Sequence, residues 1–178
     1  MTKIGPTIIE DGLEESKVEI IRKTARAIVI NENKEVLMAY SSFYNDFMFP
    51  GGGIHHYEDA IEALIREMKE ELGAIQPKVI EPFGYTEEIR YGCHGDHRVF
   101  QQISNYYICQ IEGFGKQQLK GNETFYGIEP IWTKIDEVIR HNDQIVKDSK
   151  HQQKGLKTVL LRENQVLSKL KEIIDEKI

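Results

Sequence analysis

A single strong helical period, Ala60 to Leu72, stands between stretches rich in β-branched and aromatic residues, and both of its ends are marked. Asp59 can cap the first turn, Glu62 three residues later completes a capping-box pattern, and Gly73 supplies a left-handed stop. At about 100° per residue, Ile61, Leu64, Ile65, Met68 and Leu72 form a stripe expected to be buried. Glu67, Glu70 and Glu71 fall in a second arc, shared with Ala60 and Ala63, which predicts open space between the carboxylates and makes this face a pocket wall. Carboxylates so placed repel and raise one another's pKa unless a cation sits among them, and an oxygen-only site suits Mg²⁺ or Mn²⁺. The bland alternative is a solvated face paired with Arg66 and Lys69. Immediately ahead, Phe49-Pro50-Gly51-Gly52-Gly53 lacks side chains where a backbone could approach a phosphate or a metal.

The flanking segments read as strands. Arg22 to Ile30, the turn Asn31-Glu32-Asn33-Lys34, and Glu35 to Tyr40 suggest one hairpin. Val79 to Arg90 and Arg98 to Ile111, joined through Gly92-Cys93-His94-Gly95-Asp96, suggest a second, longer one. A short strand at Ile131-Trp132, a helix from about Ile135 and a last helix from about Glu163 to Lys177 complete an α+β pattern with a mixed sheet. In the last helix Val166, Leu167, Leu170, Ile173 and Ile174 recur at helical spacing; they cover a sheet edge, with a homodimer contact as the alternative.

Composition bounds the function. A chain of 178 residues is the length of one domain, so residues 1–178 are expected to form a single unit. A net charge of −6 offers no basic track, so a nucleic acid partner is not expected. Two cysteines make neither a disulfide framework nor a zinc set, which points to a reducing cytoplasm. There is no signal-peptide pattern and no apolar run of about 18 residues, so no membrane association is expected.

Gly52, five residues, Glu58, seven residues, then Arg66-Glu67-Met68-Lys69-Glu70-Glu71-Leu72-Gly73-Ala74 resembles the signature of the Nudix hydrolase family. The flanks agree: a strand pair ahead of the glycines, and Glu129 to Glu137 resembling the segment that closes that family's domain. The likeness covers roughly residues 20–140 as architecture. It departs from many members at His55, where Glu is usual, and at Tyr57, where Gly is usual. The resemblance implies an α/β/α sandwich and hydrolysis of a nucleoside diphosphate linked to another moiety, with Mg²⁺ or Mn²⁺. It further implies that Glu67, Glu70 and Glu71 bind metal, helped by the Gly51 carbonyl, and that Glu58 pairs with Arg66 to hold the loop on the helix. Gly52, Gly53 and His55 are the candidates for touching the substrate, His55 with exposed filler as its alternative.

The general base is open between Glu67 and Glu123, the latter in the segment Lys120-Gly121-Asn122-Glu123-Thr124, which reads as a mobile loop able to close over substrate. A metal-bound carboxylate is a poor proton acceptor, which favours Glu123. Cys93, His94, Asp96 and His97 carry zinc-ligand chemistry without a ligand spacing, so a polar turn is expected there. Of Tyr40, Tyr44, Phe47, Tyr85, Phe125 and Tyr126, one or two are expected to meet substrate and the rest to be core. Two other functions compatible with such a fold are a non-catalytic nucleotide sensor and an isomerase of a small diphosphate.

Overall fold

The computed structural model describes residues 1–176, so the expected helix end at Lys177 lies outside the described residues. In chain order the elements are β1 (Ile8–Ile9), β2 (Ile20–Ile28), β3 (Glu35–Ser41), β4 (Asp46–Met48), β5 (Gly51–Gly53), α1 (Ala60–Leu72), β6 (Ala74–Ile75) and β7 (Lys78–Tyr91). They continue as β8 (Val99–Gln110), β9 (Gly113–Phe114), α2 (Asn122–Tyr126), β10 (Ile128–Lys134), α3 (Ile135–Ile145) and α4 (Val159–Glu176). A five-stranded mixed sheet runs β1-β7-β8-β2-β5, a three-stranded sheet runs β10-β3-β4, and β6 pairs with β9. The long hairpin forms as expected, β7 antiparallel to β8, while β2 lies parallel to β8.

The first expected hairpin does not form as one. β2 pairs with β5 and β8, whereas β3 pairs with β10 and β4, so the two strands enter different sheets. They touch at the corner, through the Ile30–Val36 bridge and a Leu37 N–H donated to the Val29 carbonyl. Alternation explains the split. Ala25, Ala27 and Val29 turn to one side, where they pack with Leu64, Met68 and Leu72 of α1. Ile28, Met38, Phe49 and Tyr106 meet Val138 of α3 and Val166, Leu167 and Leu170 of α4 on the other. The result is the expected α/β/α sandwich, in which the apolar face of α4 is consumed within the chain.

Helix α1 matches its expected limits, with the Asp59–Glu62 capping box formed and Gly73 left-handed at φ 66°. Its buried face is rotated from the expected one. Ala63 and Glu71 are buried with Leu64, Met68 and Leu72, while Ile61 is exposed and Ile65 half-buried. Ala63 is therefore buried and does not open the pocket wall. Ala25 and Ala27 of β2 are small where Leu64, Met68 and Leu72 pack, so α1 lies close on the sheet.

Polar residues also alternate on β2, and this has larger consequences. Arg22, Thr24 and Arg26 face the α4 side, in register with Gln102, Ser104 and Tyr106 of β8 and beside Thr86, Glu88 and Arg90 of β7. The start of α4, four residues earlier than expected, roofs this polar face. Arg162 donates from Nη1 to Glu88 at 3.0 Å and from Nη2 to Glu163 at 2.6 Å, and Thr158 donates to Glu88 at 2.7 Å. All are buried, Arg162 at 2% exposure. Arg162→Ala should leave two buried carboxylates without their cation and cost about 3–5 kcal/mol of unfolding free energy in urea titrations, whereas Lys169→Ala on the exposed face of the same helix should cost less than about 0.5 kcal/mol.

Candidate active site

The glycine run becomes β5, which lies against β2 with Gly51 opposite Arg26 and Gly53 opposite Thr24. Gly51 adopts φ 136°, and a Cβ there would stand 2.1 Å from the Ala25 carbonyl oxygen, so only glycine fits. Its N–H donates to Glu71 Oε2 at 2.9 Å, and its carbonyl accepts from Arg26 at 3.2 Å. At Gly52 a Cβ would stand 2.6 Å from Glu67 Oε1. The glycines thus bring backbone to within contact of two of the three helix carboxylates.

Those carboxylates share one side of α1 but divide their contacts. Arg66 donates to Glu67 at 2.8 Å and to Glu70 at 3.3 Å, and Lys120 pairs with Glu70 on its other oxygen. Glu71 meets β5 at Gly51, beside Glu67 at Gly52. Among the described residues no three His, Cys, Asp or Glu side chains converge closely enough to hold one ion. The chain's own cations, Arg66 and Lys120, take up oxygens of Glu67 and Glu70. The Glu71 carboxyl is 7% exposed and has one hydrogen-bond donor; burial, reinforced by the nearby Glu67 and Glu123, pushes it up to about 8 despite the Gly51 N–H and Arg26. Glu71 at Gly51 and Glu67 at Gly52 present neighbouring carboxylate oxygens, the donor chemistry that a hard divalent cation takes.

Glu58 and Arg66 form a forked pair, Nε to Oε2 at 3.0 Å and Nη2 to Oε1 at 2.7 Å, and the same Nη2 reaches the Gly53 carbonyl. The guanidinium, with the His55 N–H, holds the Glu58 carboxyl down at about 2. His55 itself is exposed, stacks on Tyr57, and stands apart from the cavity described next. Glu123 lies in the short helix α2, not in a loop, because Lys120 N–H donates to its carboxylate and Gly127 closes the turn. It is half-buried and close enough to Glu71 to raise that group's pKa.

Beyond Glu71 opens a cavity of about 190 Å³, whose lining includes Tyr44, Glu71, Arg90, Tyr126, His151 and Arg162. Tyr44 and Tyr126 pack at 5.1 Å between centroids, and His94 bonds the Tyr126 hydroxyl at 3.0 Å. Tyr40 and Phe47 pack on one another with tilted rings, outside it. Cys93 contacts Arg90 and the Gly155 carbonyl, Asp96 pairs with Arg98, and His94 turns to Tyr126, so the zinc-like residues disperse as a polar turn. The sequence reading missed the cavity's polar floor and roof. Its signal was present as alternation in Arg22-Lys-Thr24-Ala-Arg26, Thr86-Glu-Glu88-Ile-Arg90 and Gln102-Ile-Ser104.

The sequence model of the NUDIX domain matches residues 21–154. The chain belongs to the Nudix family. Two curated relatives, both named RNA pyrophosphohydrolase, come from Acinetobacter baylyi and a Marinomonas species. They are 39% identical over 61 residues and 40% identical over 65, about a third of this Nudix chain and 37% and 40% of theirs. The chain therefore matches well under half the length of either relative. A solved Nudix hydrolase from Nitrosomonas europaea superposes with a TM-score of 0.53 at 16% identity, over 83% of this chain and 89% of its own, which shows the fold. Among the described residues no helix is long and apolar enough to cross a membrane.

The Glu58–Arg66 clamp should be visible as linkage. Glu58 titrates lower folded than its unfolded value near 4.3, so the pair stabilises fully above about pH 5 and that contribution is lost as pH falls from there toward about 2. Glu58→Gln should melt below wild type at pH 7, with the gap closing through that window. Arg66→Ala should cost on the order of 3 kcal/mol at pH 7. Melting curves identical to wild type at neutral pH would show that the fork carries no stability.

Proposed function

We propose that this Nudix protein is a pyrophosphohydrolase that cleaves the diphosphate linkage of a nucleoside diphosphate derivative. The observation that carries the reading is Glu71: a buried carboxyl, bound to the Gly51 N–H, placed where the acidic helix meets a ligand-sized cavity. The RNA pyrophosphohydrolase names of the relatives support pyrophosphate chemistry. Their RNA substrate is not carried over, because the matches are partial and a chain of net charge −6 lacks a basic track.

The donor set of Glu67, Glu70, Glu71 and the Gly51 carbonyl is the proposed holder of Mg²⁺ or Mn²⁺. Such a cation would neutralise diphosphate charge and lower the pKa of a nearby water. The chain's own residues do the rest. Gly52 and Gly53 let the diphosphate approach the β5 backbone, and the Glu58–Arg66 fork fixes the loop on α1. Tyr44 and Tyr126 offer aromatic faces to the nucleoside. Glu123, unpaired with any cation among the described residues and near Glu71, is the proposed proton acceptor. His55 has a role only at the outer rim.

A panel of nucleotide sugars, dinucleoside polyphosphates, oxidised nucleotides and 5′-triphosphorylated RNA, with either metal and products identified by mass, tests the substrate class. Turnover of the RNA alone would overturn the small-molecule reading, and product without phosphorus–oxygen cleavage would replace it with an isomerase. Glu70→Gln and Glu71→Gln should each fall below about a tenth of wild-type kcat at saturating metal with unchanged circular dichroism. Glu123→Gln should lower kcat by roughly 100-fold while leaving metal affinity within about twofold. Wild-type kcat in that variant would return the proton to Glu67 or to no side chain at all.

A further inference from the structure

Among the described residues, three of the cavity's four arginines have no carboxylate within ion-pair distance; of the carboxylates that line it, Asp46 pairs with His151 and Glu71 is held by the Gly51 N–H, with Arg26 nearby. Among the described residues, the arginines in ion pairs are Arg66, Arg98 and Arg162. Arg22, Arg26 and Arg90, all lining the cavity, are not among them. Glu88, which shares their sheet face, spends its oxygens on Arg162, Thr158 and Gln102. Glu163 is committed to Arg162 and the Phe49 N–H.

These guanidiniums are also crowded. Gln102 Oε1 accepts from Arg90 Nη2 at 2.6 Å and faces Arg22 Nη1 at 3.4 Å, so two like charges from β7 and β2 meet over one neutral oxygen on the strand between them. Arg22 stands at the mouth and titrates below its ordinary range, through partial desolvation and the neighbouring Arg26 and Arg90. Deeper in, Nε of Arg26 and Nε of Arg90 are buried without a hydrogen-bond partner. Arg26 and Arg90 are 7% and 4% exposed. An unpaired buried charge is expensive, and its retention beside a cavity is what an anion site requires. Guanidinium forks arriving from two non-adjacent strands suit a tetrahedral oxyanion better than a planar carboxylate.

We propose that this cavity binds a phosphate group, gripped at the mouth by Arg22 and Arg90 over Gln102. Its bearer is a substrate carrying a phosphate besides the diphosphate that is cleaved. Arg22 and Arg26 are four residues apart on β2, about 13 Å along the strand. Arg26 and Glu71 meet at Gly51, so the mouth phosphate and the scissile linkage occupy opposite ends of one ligand. The identity of the bearer rests on the hydrolase reading; the binding of phosphate does not.

The test begins without metal. In EDTA, calorimetric titration with inorganic phosphate should show saturable binding that weakens as KCl rises. Arg22→Gln, at the exposed mouth, should weaken it about tenfold or more, and Arg90→Lys, which keeps charge but loses the fork, should also weaken it. Lys169→Gln, outside the cavity, should not. Absence of saturable binding, an Arg22→Gln affinity within about twofold of wild type, or equal binding of acetate would each overturn the proposal. If Arg90→Lys fails to fold, Arg22→Gln decides alone. In turnover, diphosphates bearing an additional phosphate monoester should show a lower KM than their unphosphorylated counterparts, and Arg22→Gln should abolish that difference while the kcat ratio is kept. An equal KM for the two kinds of substrate overturns the assignment of the bearer. Phosphate binding with no diphosphate turned over would overturn the hydrolase reading and leave the site standing.

Discussion

The structure turns on Gly51. Its N–H holds Glu71, its carbonyl receives Arg26, and its missing side chain lets β5 lie against the Ala25 carbonyl. Three elements meet there at backbone distance: the acidic helix, the glycine strand and the strand whose polar face floors the cavity. Any side chain at this position would push β5 off β2 and separate Glu71 from the cavity that gives it a use.

The two faces of β2 divide the labour of the fold. Its small apolar residues seat α1 and so set the depth at which the helix carboxylates lie. Its arginines and Thr24 face the other way, beneath α4. A sheet face this polar is tolerated inside a protein only because α4 brings Arg162 onto Glu88 and Glu163, satisfying the charges that have no path to water. What this network leaves over, the guanidiniums of Arg22, Arg26 and Arg90, is directed at the cavity. The charges that close the roof and the charges that face the cavity thus lie on one polar sheet face.

The charges around α1 work in the opposite sense. Glu67 and Glu70 are held by Arg66 and Lys120, and Glu71 is left to a single backbone donor in a desolvated position. Arg66 ties the helix to the loop through Glu58 and at the same time shares its charge with the two carboxylates proposed to hold metal. A divalent cation at the proposed site would compete with the chain's own cations, which would couple metal affinity to the hold of the loop through one side chain.

Short-range chemistry was legible without coordinates. The capping box, the Gly73 stop, the spacing from Gly52 through Ala74 and the pairing of Glu58 with Arg66 depend on residues close in the chain, where helix geometry converts sequence distance into spatial distance. The long hairpin was legible because its turn chemistry and strand lengths agree. Which strand joins which sheet was not, since Asn31 to Lys34 turns the chain equally well into a hairpin or around a corner, and the pairing of β2 with β8 spans about 80 residues. The rotation of α1 that buries Ala63 and Glu71 depends on strands distant in the chain from the helix or bent back onto it, among them β5, whose Gly51 N–H holds Glu71. The polar cavity was hidden for the same reason: Arg22, Arg90 and Gln102 come from three strands, and Arg162 from a helix that follows them all. Periodicity could place each on a face, but only packing could place those faces against one another and leave three arginines without a carboxylate.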